Sequence, residues 1–285
     1  MNTRVLVSLF ALMLAFRAEG SLNAADLIGH WKFDADGRTL ATDLSGHGRD
    51  AALHRGPQPP AANLKTLVLD GYVAHGEVQN SRSMAFPDGA TITVWMYPTR
   101  LKRSNMVVGV PNPNPSWTTP TIGLFAPETG RVGFGLWTSP KTLLVAREPT
   151  PLKSWSFVAG TYDNKTARLY IDGACVAEQK CSKPIPVTDA PLMIGTGTMS
   201  NRFFRGMIGE IRLYDGALDA NQVQKLYAKD AKRYPRTLGA AEADQNRVVV
   251  RSKRKPNDPW REYATRPLNQ LRAYGRAKQP VELSK

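Results

Sequence analysis

Between Phe203 and Tyr227 the chain changes its periodicity once, and that change limits what it can fold into. Met207, Ile208, Ile211 and Leu213 give an apolar strand, and Asp215-Gly216 reads as a tight turn. A helical phase follows, with Asp219 at the N-cap position and Val223, Leu226 and Tyr227 on one face. This is the one convincing helix in the sequence. From Asp26 up to it, the chain reads as strands separated by turns.

The upstream apolar runs are short and separated by turn residues. Leu27 to Phe33 puts Trp31 and Phe33 on one face by period two. Leu67 to Val73 reads as a short strand, a bend at Asp70-Gly71, and a second strand. Thr91 to Tyr97 is rich in β-branched and aromatic residues and stops at Pro98. Met106 to Val110, Thr121 to Phe125, Val132 to Trp137 and Thr142 to Ala146 follow. Ser156 to Tyr162 and Ala167 to Ile171 flank a hairpin signal, and Asp172-Gly173 turns the chain into Ala174 to Glu178. Leu192 to Ile194 and Met207 to Tyr214 complete about a dozen strands. A two-sheet antiparallel sandwich accommodates such a set. For Trp31, Trp95 and Trp155, each within an apolar alternation, the expected place is the core.

The two ends differ from this middle. Arg4, the apolar run Val5 to Phe16 and the small residues after it read as a signal peptide over residues 1–25. The run is short for a membrane span, and no later segment is long enough, so the expectation is an exported protein without a span in its mature form. The sandwich is expected over 26–230. From 231 to 285 there are 14 Lys or Arg against 5 Asp or Glu, so +9 of the net +14 sits in this tail. With five prolines and only short apolar runs, it reads as an extended or disordered segment. Arg251, Lys253, Arg254 and Lys255, beside Trp260 and Tyr263, have the make-up of a polyanion-binding stretch, the alternative being a solvated linker. In an exported protein the polyanion is an acidic polysaccharide, lipopolysaccharide or cell-wall polymer rather than nucleic acid.

Several blocks, taken in order, are similar to the LamG-like jelly-roll family, the laminin G-like branch of the concanavalin A-like lectins and glucanases. They are Asp43 to Gly48, Leu69 to Val73, Ile92 to Pro98, Ser154 to Asp163, Leu169 to Gly173 and Phe203 to Tyr227. The resemblance spans about residues 26 to 228 and implies an all-β jelly-roll sandwich with one short C-terminal helix. Two positions depart from it. Gly209 stands where the family's closing strand has Asp, and Phe157 where a His follows the Trp.

The resemblance also implies chemistry. A structural Ca²⁺ in such sandwiches lies between an early acidic loop and the last strand, which matches Asp43 and Glu210. Ca²⁺ takes six to eight oxygens, and the other reading makes Asp43 the organiser of its loop and Glu210 a surface or salt-bridged residue. Family members often contain a disulfide, for which Cys175 and Cys181 are the available pair. Along an extended strand their Cα atoms would be about 20 Å apart, against roughly 7 Å for a bridge, so two reduced thiols are the alternative. The related glucanases carry E-x-D-x-E, which does not occur here, nor do G-x-S-x-G, a P-loop or C-x-x-C. An enzyme is therefore not expected. Sugar-binding modules stack pyranose rings on exposed indoles, and Trp117 and Trp137, in or beside Pro-containing segments, are the candidates. The function read from the sequence is a non-catalytic module for carbohydrate or glycoconjugate. The alternative is an envelope-protein scaffold anchored by its basic tail.

Overall fold

The computed structural model describes residues 25–33, 40–54, 66–79, 84–101, 105–112, 120–136, 142–197 and 203–236. They form two antiparallel sheets and one helix, as the sequence predicts. The first sheet has seven strands, in the order β1 (Leu27–Lys32), β15 (Arg205–Tyr214), β6 (Ala90–Arg100), β11 (Ser156–Tyr162), β12 (Thr166–Ile171) and β13 (Ala174–Lys180), with β4 (Leu67–Asp70) also against β15. The second has eight: β10 (Thr142–Val145), β9 (Gly133–Leu136), β8 (Ile122–Ala126), β7 (Asn105–Val110), β14 (Leu192–Ile194), β5 (His75–Val78), β3 (Ala51–His54) and β2 (Leu40–Ala41). Trp31, Ile92, Val94, Phe134, Val158, Ile208 and Ile211 belong to the large buried core of this sandwich.

The closing strand β15 splints the first sheet. One side pairs with β6, while the other pairs with β4 over Arg205–Ile208 and with β1 over Glu210–Tyr214. The ladder to β6 slips between Ile208 and Glu210, leaving Gly209 as the extra residue of a bulge. The bulge resets the alternation: Met207 belongs to a different core from Ile208, while Ile211 and Leu213 rejoin Ile208.

A second, smaller core holds Trp95, Tyr97, Trp155, Phe157, Met207, Val223 and Tyr234. Helix α1 (Ala220–Asp230) covers part of it, capped by Asp219, which accepts from Gln222 N–H at 2.8 Å while the Gln222 side chain accepts from Asp219 N–H. Tyr234 covers another part, stacking on Trp95 at 4.7 Å between centroids and tilting against Trp155 at 4.9 Å. The three tryptophans are buried, but only Trp31 is in the large core.

Three features differ from the sequence reading. The fold does not stop at 230: Tyr234 is 2% exposed, and Arg236 reaches Asp172 at 2.8 Å. No strand follows the Asp70-Gly71 bend directly; Asp70 instead accepts from the N–H groups of Tyr72, Val73 and Ala74 and turns the chain into β5. The strands β2, β3 and β5 have no counterpart in the sequence pattern, because Leu-Ala, Ala-Ala-Leu-His and His-Gly-Glu-Val lack a β-branched or aromatic run. No disulfide joins Cys175 and Cys181, so of the two readings the disulfide is not the one seen. Cys175 lies in the extended strand β13 and Cys181 follows its end, so nothing folds the two thiols back on each other.

Candidate functional site

Strand register fixes one rim of the eight-stranded sheet. Val110 pairs with Ile122, Ile122 with Leu136, and Leu136 with Thr142, so four strand ends stand in one row. The chain leaves this row after Val110 and after Leu136 and comes back at Ile122 and Thr142. Trp117 and Trp137 belong to those two connections, and both lie outside the described residues. Thr121 pins the mouth of the first: its N–H donates to Val110 O at 2.8 Å and its hydroxyl to Pro111 O at 3.1 Å. Beside it, Met84, Phe86, Val110, Thr121 and Val187 line a recess of about 10 Å³. That is room for one water, not for a sugar ring.

Asp43 and Glu210 are placed on opposite aspects of β1. Asp43 Oδ1 accepts from the N–H groups of His30 and Ser45, both at 2.9 Å, and Oδ2 from the Ser45 hydroxyl at 2.8 Å and Arg49 N–H at 3.0 Å. Burial pushes its pKa up, but these donors outweigh it and hold the carboxyl below its ordinary value. Glu210 is 1% exposed. Its Oε1 lies 2.6 Å from His30 Nε2, 2.7 Å from Arg212 Nη2 and 3.4 Å from Lys32 Nζ. Arg212 Nη2 is also 2.7 Å from Asp230. Burial again opposes ionisation, and His30, Arg212 and Lys32 bring the Glu210 pKa below its ordinary value. The pair does not fit Ca²⁺. One carboxylate already accepts four hydrogen bonds, the other faces basic side chains, and a cation needing six to eight oxygens would have to displace them.

A cluster that the sequence did not reveal occupies the other rim of the second sheet. His54 on β3 pairs directly with His75 on β5, and Glu77 is two residues along β5. The imidazoles stack at 4.6 Å between centroids and 19° between planes. His54 Nε2 is 3.4 Å from Glu77 Oε2, and Gln79 Nε2 donates to Glu77 Oε1 at 2.5 Å. His75 Nδ1 lies 2.8 Å from Val73 O, and its ring tilts against Phe203 at 6.0 Å. Burial, followed by the neighbouring His54, pushes the His75 pKa down to about 4. Burial raises the Glu77 pKa, but contact with His54 outweighs it and lowers the net value. Four histidines without H-x-x-x-H spacing gave no sign of this grouping; only the β3–β5 pairing makes it.

The polyanion-binding candidates Arg251, Lys253, Arg254 and Lys255 lie outside the described residues, as do the signal segment through residue 24 and the tail from 237. Among the described residues, no helix is long and apolar enough to cross a membrane.

A profile of the concanavalin A-like lectin/glucanases superfamily matches residues 70–224. No curated protein matches the chain. Among solved structures it is similar to the binding domain of Paraclostridial Mosquitocidal Protein 1, with a TM-score of 0.58 and 16% identity over 72% of this chain and 52% of that one. It is also similar to domain 4 of an extracellular arabinanase from Geobacillus stearothermophilus, in complex with arabinotriose, with a TM-score of 0.54 and 20% identity over 71% and 98%. A third is Trypanosoma rangeli sialidase in complex with the inhibitor DANA, with a TM-score of 0.56 and 16% identity over 73% and 34%. The chain spans about half the length of the mosquitocidal domain and about a third of the sialidase. At such identities the likeness is one of fold. The profile match runs from the Asp70 turn into α1 and takes in most strands of both sheets, and by it the chain belongs to the concanavalin A-like lectin/glucanases superfamily as a laminin G-like domain.

Proposed function

We propose that this domain is an exported, non-catalytic module that binds carbohydrate or the glycan of a glycoconjugate. Its binding surface is the rim from which the Trp117 and Trp137 connections leave the eight-stranded sheet. The observation that carries the reading is the Val110–Ile122–Leu136–Thr142 row, which brings two tryptophan-bearing connections to one end of one sheet. Indole faces beside a few polar groups are what a pyranose ring needs. A superfamily of lectins and glucanases supports the substrate class, as does the arabinotriose complex of the arabinanase domain. The non-catalytic part rests on Glu210. A glycosidase sets two carboxyls roughly 5–9 Å apart across a cleft, whereas this one is buried and engaged by His30, Arg212 and Lys32.

The test is a polysaccharide array probed with the mature chain, its Trp117→Ala and Trp137→Ala variants, and a chain ending at Arg236. Loss of binding in the tryptophan variants, with retention by the shortened chain, supports a lectin. The charge of the tail favours a second reading, a scaffold held to anionic envelope material. That reading requires binding to vanish on shortening, to survive Trp117→Ala, and to fade with added salt.

A further inference from the structure

We propose that His54, His75 and Glu77 form a binding site for a first-row divalent transition metal, with zinc as the reference ion. Each residue offers one ligand atom, and the three atoms lie within 4.8 Å of one another. The edge between His54 Nε2 and Glu77 Oε2 is 3.4 Å. Two ligands bound to zinc at ~2.0–2.2 Å in tetrahedral geometry are separated by about 3.3–3.6 Å, so this edge already has the right length. Two imidazole nitrogens and one carboxylate oxygen suit zinc, nickel, copper or ferrous iron; calcium and magnesium prefer oxygen alone.

The surroundings are those of a ligand set held from behind. His75 Nδ1–H donates to Val73 O at 2.8 Å, which fixes the tautomer of the neutral ring and puts its lone pair on Nε2. Val73 is itself fixed, because Asp70 accepts from the N–H groups of Tyr72, Val73 and Ala74 and so shapes the turn. Gln79 holds Glu77 Oε1, and Oε2 is left toward His54. His75 is buried, whereas the His54 side chain is 26% exposed and that of Glu77 is 17%. His54 is therefore the ligand with room to tilt out of the stack as the ion enters. Three protein ligands leave one tetrahedral position for water or an external donor.

The site is independent of the glycan-binding reading. Val78, which pairs with Ala51 and Leu192, stands toward the tryptophan rim, and the His54–His75 pair is at the opposite end of β3 and β5.

Untagged mature chain, stripped with chelator and dialysed, is titrated with Zn²⁺ by calorimetry and with Co²⁺ by absorption. The expected result is one equivalent of zinc per chain at micromolar concentration and the intense visible bands of tetrahedral cobalt. His54→Ala and Glu77→Gln each weaken binding by at least about tenfold, while His47→Ala, an exposed control, leaves it unchanged. Circular dichroism and thermal melts of both variants without metal check that they fold; His54→Ala removes a partly exposed side chain and is expected to do so. Absence of zinc binding by the wild-type chain overturns the proposal. So does equal affinity in the two folded variants, since any zinc would then be held elsewhere.

Discussion

Tyr234 has its ring where a side chain at position 209 would have to be: a Cβ on Gly209 would overlap Tyr234 Cε1. The family's Asp is missing there because an aromatic ring from beyond the helix takes its space. Phe157, the other departure, is fully buried and tilts against Trp95 at 5.4 Å, so both changes serve the second core. Gly209→Ala is therefore expected to destabilise the protein by about 1–3 kcal/mol in a denaturant titration, and an unchanged midpoint would mean that Tyr234 is not seated there. Asp43 carries a pH dependence whose sign is fixed. Its folded-state pKa is depressed below the ordinary 3.8, so its stabilisation is complete above that value and is lost as pH falls through the folded value. The wild type should exceed Asp43→Asn by about 2 kcal/mol at neutral pH. The gap should narrow only below 3.8; a constant gap down to acid unfolding would contradict the role given to the carboxylate.

Elements were legible from sequence in proportion to how much of their own signal they carry. The strands β6, β11 and β15 are rich in Ile, Val, Phe, Trp and Tyr and form where the pattern puts them, except that β6 does not stop at Pro98 but runs on to Arg100. Helix α1 announces itself through Asp219 at its N-cap and the shared face of Val223, Leu226 and Tyr227; the structure adds Gln222 to the cap. The strands β3 and β5 carry little signal of their own and exist because β14 and their mutual pairing extend the sheet. The six residues after α1 belong with this group: charge and a proline give them the look of a tail, yet Tyr234 stacks on Trp95 and tilts against Trp155. Ending the chain at Asp230 should therefore uncover Trp95 and Trp155, lower the melting temperature by several degrees and raise dye binding, whereas ending it at Arg236 should do neither. Equal melting of the two shortened chains would refute the packing of this segment.

At the scale of the whole molecule, the eight-stranded sheet has two rims with different chemistry. One bears the connections with Trp117 and Trp137; the other bears His54, His75 and Glu77. The sequence by itself determined the class of the fold, the closing strand with its capped helix, and the core placement of Trp31, Trp95 and Trp155, because local alternation, turn chemistry and capping suffice for these. It also named Asp43 and Glu210, whose actual partners depend on other strands. Tertiary structure alone decided that Asp43 accepts from its loop and from β1, that Glu210 is held among His30, Lys32 and Arg212, and that Tyr234 fills the space above Gly209. It alone set His54 opposite His75. The reason is physical: strand register and the packing of one sheet face join residues far apart in the chain, and no local pattern encodes which distant residue will stand across the ladder.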